Sequence, residues 1–252
     1  MALSFRQGEI LEIARSEGRV VVEDLAARFS VTLQTIRRDL GELADAGLLD
    51  RVHGGAVVRA GVANTAWSER RQLNAEAKAA IGAACAALIP DNSSLILNIG
   101  TTTEAVARAL VGHRNLTVVT NNLNVANILA ANDSCEVMVA GGALRRADGG
   151  LVGELTTQFF DQFKVDLAVI GCSAVDADGD LLDFDLAEVG VARTILRQAR
   201  RRLVVADASK FTRQAPVRLG SLADLDGIVT DRPLPEGLAL ACDGWGTAVH
   251  LA

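Results

Sequence analysis

Residues 32–48 read Thr32-Leu33-Gln34-Thr35-Ile36-Arg37-Arg38-Asp39-Leu40-Gly41-Glu42-Leu43-Ala44-Asp45-Ala46-Gly47-Leu48. Leu33, Ile36, Leu40 and Leu43 recur at spacings of three and four, which predicts a helix with one buried stripe. Thr32 suits its N-cap, because a threonine hydroxyl can accept from an N–H that the first turn leaves unpaired. Gly47 suits its end. A buried stripe needs neighbours, and the residues upstream supply them. Ile10, Leu11, Ile13 and Ala14 line a first helix closed by Gly18, and Leu25, Ala26 and Phe29 line a short second one over Glu23–Phe29. Ser30-Val31-Thr32 is the turn between the second and third helices. After Gly47, Leu48–His53 reads as a strand, Gly54-Gly55 as a tight turn and Ala56–Val58 as the returning strand. The order is helix, helix, turn, helix, hairpin: a winged helix-turn-helix over residues 1–57.

Gln34, Thr35, Arg37, Arg38 and Gly41 lie opposite the buried stripe. A recognition helix presents such side chains to base edges and phosphates. Arginine pairs bidentately with guanine and glutamine with adenine, while threonine fits a phosphate or a thymine methyl. Arg51 and His53 on the hairpin are placed to reach the sugar-phosphate backbone, and Gly54 lets the wing tip approach it. The candidate DNA contacts are therefore Thr32, Gln34, Thr35, Arg37, Arg38, Arg51, His53 and Gly54. A solvated face on a small helical interaction domain has the same spacing, so spacing alone does not decide.

The whole chain of 252 residues carries a formal charge of −6, which is unusual for a nucleic-acid binder. The acids Glu9, Glu12 and Glu17 sit on the first helix, however, away from the contact face. Attraction is then local, with few phosphate contacts per subunit, and a homo-oligomer, at least a dimer, is expected. Half the residues are hydrophobic and 22% are charged, which argues against disorder. The cysteines Cys85, Cys135, Cys172 and Cys242 are scattered, and no His, Cys and carboxylate cluster has ligand spacing, so neither metal nor cofactor is expected. Residues 1–16 lack an apolar signal-peptide core, and no charge-free run of about 20 apolar residues exists. A cytoplasmic protein that avoids membranes is the expectation.

Beyond a connector at 58–75, in which Trp67–Leu73 suits a helix, the texture changes. Apolar strands are followed by polar loops and helices. Leu95–Ile99 runs into Gly100-Thr101-Thr102-Thr103, Leu116–Thr120 into Asn121-Asn122, and Glu136–Ala140 into Gly141-Gly142. Leu167–Ile170 precedes Gly171, and Leu203–Ala206 precedes Asp207. This alternation predicts an α/β domain over 76–252 with a mainly parallel sheet, whose ligand sits at the carboxyl ends of the strands. The helix that starts at Thr101 offers free N–H groups and three hydroxyls, which suits a phosphate. Thr capping without any ligand has the same appearance. The loop matches neither nucleotide-binding glycine pattern. Arg145 and Lys210 can neutralise phosphate, while Asn121, Asn122 and nearby carboxylates can hold hydroxyls. The mixture suits a small polyol phosphate.

The stretch Val20–Leu48, with Thr35-Ile36-Arg37-Arg38-Asp39-Leu40 and then Arg51-Val52-His53-Gly54-Gly55-Ala56, resembles the DNA-binding domain of the DeoR family of bacterial regulators. One departure is that Val21 and Val22 stand where the family has a Ser or Thr cap for the second helix. The second half resembles the family too, at Ile99–Leu110, Val119–Leu129, Ala140–Gly153 and Asp176–Val189, with Trp67 fitting as well. These stretches are most similar to members that answer to glycerol-3-phosphate. The resemblance implies a repressor of glycerol and glycerol-3-phosphate metabolism genes. It would bind double-stranded operator DNA and be induced by glycerol-3-phosphate; another sugar phosphate is the alternative. It also implies an effector domain folded like ribose-5-phosphate isomerase. The family motif nominates Gly100, Thr101, Thr102, Thr103, Asn121, Asn122, Gly141, Gly142, Arg145, Glu188, Asp207 and Lys210 as pocket residues. Asp183 and Asp185 are either pocket lining or a charged loop.

An isomerase-like fold raises an enzymatic alternative. Enzymes of that type resemble this chain at Ala206–Lys210, and carry a carboxylate base just after the strand that here ends at Gly171. They also carry a lysine some two dozen residues before that of the Ala206–Lys210 motif. Here Ser173, or its neighbours Cys172 and Ala174, takes the place of the acid and Asp183 that of the lysine. Proton transfer beside a carbonyl needs both groups. No catalysis is expected.

Overall fold

The computed structural model describes residues 4–17, 19–46, 48–52, 54–58 and 67–252. The chain forms two units, Met1–Ala63 and Asn64–Ala252.

In the first unit, α1 (Phe5–Glu17) opens on a capping box. The Ser4 N–H donates to Gln7 Oε1 at 2.9 Å, and the Gln7 N–H returns to Ser4 Oγ at 3.2 Å. There follow β1 (Arg19–Val21), α2 (Val22–Phe29), α3 (Leu33–Asp45), β2 (Leu49–Val52) and β3 (Gly55–Val58). The strands form one antiparallel sheet in the order β1-β3-β2. Val21 stands at the N-cap of α2 and supplies no side-chain hydrogen bond, as its apolar side chain requires. Ser30, in the left-handed conformation, closes α2. Ile10, Ala14, Val20, Leu25, Ile36, Leu40, Leu43 and Leu49 form the core.

Three details depart from the sequence expectation. The strand β1 is too short to show a period. Leu33 does not join the stripe: it is the first residue of α3, 41% exposed and outside the core cluster. Asp39, a charged residue, occupies the buried face instead. Helix α3 ends at Asp45 with Ala46 as its cap; Gly18 and Gly47 lie outside the described residues.

The second unit starts with α4 (Trp67–Gln72) and α5 (Ala75–Ala87). Next come β4 (Ser94–Leu97), α6 (Thr101–Ala109), β5 (Leu116–Thr120), α7 (Leu123–Leu129) and β6 (Cys135–Val139). The hairpin of β7 (Ala143–Arg145) and β8 (Gly150–Val152) leads to α8 (Glu154–Phe160) and β9 (Val165–Ile170). Then follow β10 (Ala174–Val175), β11 (Asp180–Asp183), α9 (Leu186–Arg197), β12 (Ala199–Val205) and β13 (Val217–Ser221). The last elements are β14 (Gly227–Thr230), α10 (Glu236–Trp245) and β15 (Ala248–Leu251).

Seven strands pair in parallel in the order β15-β14-β12-β9-β4-β5-β6. Both faces are covered, which is why the central strands read as unbroken apolar runs. Leu95 and Leu97 of β4 point to α5, α6 and α7, packing with Ile81, Val106 and Val125. Ile96 points the other way, into a core shared with Phe160 of α8, Ile195 of α9 and Cys242 of α10. A small antiparallel sheet, β10-β11-β13, contributes Val175, Leu181 and Leu219 to that second core. It was not expected from the sequence, because strands of two to five residues give little periodic signal.

The strand order positions the site. From β4 the chain moves outward through β5 to β6, then crosses back to β9 on the other side of β4 and continues to β12. The connections after β4 and β9 therefore leave in opposite directions, opening a crevice between their carboxyl ends. Asn98 holds that crevice together, its Oδ1 accepting from the Gly171 N–H at 3.1 Å.

Candidate functional site: a reading helix and a strand-end cleft

On α3, Thr32 accepts from the Thr35 N–H at 3.2 Å, and the two hydroxyls lie 2.9 Å apart. Gln34, Arg37 and Arg38 are exposed, and Thr35 is half-buried. Arg38 lies 3.8 Å from Glu42 across one helical turn, both side chains well exposed, a contact too weak to immobilise it. On the inner side, Asp39 takes the Arg6 Nε–H at 2.6 Å, and Gln7 Nε2 donates to Glu42 Oε2 at 2.5 Å. The hexapeptide thus divides cleanly. Ile36 and Leu40 enter the core, Asp39 fastens α1, and the two arginines face solvent. Arg51 is exposed on β2 and Gly54 at the turn before β3; His53 lies outside the described residues.

In the second unit a cleft of about 510 Å³, counting space open to solvent, lies at the β4–β9 crevice. Its walls are the N-terminus of α6, the segment after β9, the end of β11, the first turn of α9 and the turn after β12. Gly100 has φ +153°, a conformation that other residues rarely adopt, and turns the chain from β4 into α6. The first N–H groups of α6 have no partner within the helix, and Thr101 and Thr102 line the cleft beside them. Thr103 does not: its hydroxyl donates to the Asn98 and Gly100 carbonyls at 2.9 and 2.7 Å.

Lys210, Asp207 and Ser209 line the same cleft. Asp207 caps the turn Ala208–Thr212, accepting from the Ser209 N–H and hydroxyl at 3.1 and 2.5 Å. Burial opposes its ionised form. Lys210, Ser209, Lys78 and Asn74 outweigh that, and its carboxyl stays below the usual range. Burial lowers the Lys210 ammonium, against the attraction of Asp207. Burial likewise brings Lys78 down to about 8; its ammonium donates to the Leu73 carbonyl at 2.5 Å and to that of Arg70. Cys172, also in the wall, is pushed up to about 12 by burial and remains a thiol. Asp183 accepts from the Ser173 hydroxyl at 3.1 Å and from the Phe184 N–H at 2.7 Å.

Among the residues nominated from the sequence, the structure gathers Gly100, Thr101, Thr102, Asp183, Glu188, Asp207 and Lys210 in one cleft. It places Thr103, Asn121, Asn122, Gly141, Gly142, Arg145 and Asp185 outside its lining. Asn121 donates to the Leu151 carbonyl at 2.9 Å, and Asn122 caps α7, accepting from the Asn124 N–H at 2.9 Å. The Gly141 carbonyl takes the Thr156 hydroxyl at 2.7 Å. At Gly142, φ is +144° and an added Cβ would stand 2.1 Å from Thr156 Oγ1, so only glycine fits. Asp185 caps α9. Strand order explains why Asn121, Asn122, Gly141, Gly142 and Arg145 stand apart. All of these loops lie at the carboxyl edge of the sheet, but those after β5 and β6 are on the far side of β4 from the crevice.

The sequence reading missed Arg70, Lys78 and Arg213, three cations of the cleft. Arg70 sits on α4 in what reads as connector. Lys78 did leave a signal: it shares the buried stripe of α5 with Ile81, Gly82 and Cys85, an apolar face on which a lysine stands out. The cleft can balance a dianionic phosphate ester with lysines, arginines and helix N–H groups, and can meet hydroxyls with Asp183, Glu188 and Asp207.

No helix among the described residues is long and apolar enough to cross a membrane. Residues 6–60 match the family model of the DeoR-like helix-turn-helix domain, and residues 73–232 match the DeoR C terminal sensor domain. The chain is 46% identical to the glycerol-3-phosphate regulon repressor of Escherichia coli (strain K12) over 91% of each chain. It is 47% identical to the Haemophilus influenzae protein of that name, over 94% of this chain and 92% of the relative. Among solved structures, ribose 5-phosphate isomerase A of Methanocaldococcus jannaschii is similar at 14% identity, with TM-score 0.41, covering 55% of each chain. With a matching helix-turn-helix, a matching sensor domain and relatives that are repressors, the chain belongs to the DeoR family of transcriptional repressors.

Proposed function

We propose that this repressor controls genes for glycerol and glycerol-3-phosphate uptake and catabolism, and leaves its operator when glycerol-3-phosphate fills the cleft. The observation that carries the reading is the composition of that cleft: the open N-terminus of α6 lines it together with Lys210, Lys78, Arg70 and three carboxylates. Phosphate is met by the cations and the helix end, and the two hydroxyls of the glycerol by carboxylates. The E. coli and H. influenzae relatives are named for the same metabolite, which supports the choice among sugar phosphates.

Operator binding takes place in the cytoplasm, through α3 of at least two copies. Two half-sites about 34 Å apart, or a multiple of that, then tolerate little misplacement of the paired helices. A hundredfold loss of operator affinity requires about 2.7 kcal/mol of differential effector binding, which one charge-assisted phosphate grip can supply.

The test is a gel shift of the full chain on DNA upstream of glycerol uptake genes, with and without glycerol-3-phosphate. A retarded band that the ester dissolves, and that other sugar phosphates at equal concentration leave in place, supports the reading. A band insensitive to the ester overturns it.

A further inference from the structure

Arg145 was nominated from the sequence as a phosphate ligand, yet its guanidinium is already engaged. Its Nε and Nη2 grip Asp148 at 3.0 and 2.6 Å. Nη1 donates to Asp185 at 2.9 Å, and Nη2 to Glu188 Oε2 at 2.6 Å. These bonds take up four of the five N–H donors of a guanidinium. Arg70 lies 3.7 Å from the same Asp148. Two arginines therefore meet three carboxylates, and the Arg145 guanidinium has little left to offer a phosphate.

Glu188 is different, because it also lines the cleft. The groups that face it are Asp183 at the end of β11, Arg145 on β7 and Asp148 in the β7–β8 turn. Burial and the charge of Asp183 push its carboxyl up to about 7, against the pull of Arg145. Arg145 is the only cation among these groups. Without it, Glu188 would keep its proton and lose the bond that fixes its orientation. A carboxylate held in this way can accept from hydroxyls; a rotating carboxylic acid does so poorly.

We propose that Arg145 is a positioning residue for effector recognition: it fixes the Glu188 carboxylate at the cleft wall, where Glu188 accepts hydrogen bonds from effector hydroxyls, so that the pair selects a polyol phosphate over inorganic phosphate. The inference rests on the reading of the cleft as the effector site. It separates two tasks on two walls: the cations and α6 take the phosphate, and the α9 side takes the hydroxyls.

The test is calorimetric titration of the full chain with glycerol-3-phosphate and, separately, with inorganic phosphate, for the wild type, Glu188→Gln, Arg145→Ala and Arg145→Lys. Glu188→Gln and Arg145→Ala should each weaken glycerol-3-phosphate binding about 10- to 100-fold and leave inorganic phosphate unchanged, with Arg145→Lys restoring part of the preference. Equal loss of both ligands in Arg145→Ala, or undiminished preference in Glu188→Gln, overturns the proposal. If Arg145→Ala does not fold, Arg145→Lys carries the test, and equal loss of both ligands there overturns the proposal. A wild type that binds neither ligand overturns the reading of the cleft as well, and so is distinguishable from a failure of Arg145 alone.

Discussion

Arg6 on α1 donates its Nε–H to Asp39 on α3 at 2.6 Å, so a buried acid on the inner side of the reading helix helps tie that helix to its neighbour. Arg37, two residues earlier and exposed, has no comparable structural duty. The two positions separate stability from reading.

Arg37→Ala should weaken operator binding about 10- to 100-fold per reading helix, with thermal unfolding and effector affinity unchanged. Fluorescence anisotropy of a labelled operator duplex and a melting curve measure both. Wild-type operator affinity would show that this face of α3 does not meet DNA.

Asp39→Ala should lower the melting temperature of the DNA-binding unit and weaken operator binding with it, because the buried end of the Arg6 pair is lost while every exposed contact residue remains. A variant that melts like the wild type and yet loses DNA would make Asp39 a contact, contrary to its burial.

Lys210→Ala should give a repressor that still binds its operator but resists release by glycerol-3-phosphate. Lys210 lines the cleft with the N-terminus of α6 and lies in the unit that carries no reading helix. Normal release in a gel shift would remove Lys210 from the phosphate site.

Effector affinity should fall as pH rises through about 8. Lys78 titrates near 8 in the empty protein because burial disfavours its ammonium. An anion binds the protonated form and raises that pKa, so above about 8 each unit of pH costs up to about tenfold in affinity. Calorimetry from about pH 7 to about pH 9 should show the decline in the wild type and a shallower one in Lys78→Met. Parallel profiles would exclude Lys78 from the charge balance.

The reading helix is legible in the sequence because it is local: Thr32 caps it, Ile36, Leu40 and Leu43 repeat at helical spacing, and the exposed residues follow by geometry. Asp39 is not legible there, since its partner lies 33 residues away. The parallel strands show as apolar runs ending in glycine or polar residues, but nothing in those runs states their order. That order sends the loops after β9 and β12 to the cleft and those of Asn121 and Gly141 away from it. The same limit hid Arg70, whose place in the cleft depends on how α4 packs and on no pattern within Trp67–Gln72.

The central claim is that the strand-end cleft and the reading helices share one equilibrium. Coupling of this kind is reciprocal, so the dissociation constant of glycerol-3-phosphate measured with the repressor free and with it saturated by operator duplex is the most direct test. The account predicts weaker effector binding on the operator-bound protein, by the same factor with which the effector weakens operator binding. Equal effector affinity in the two states would contradict it.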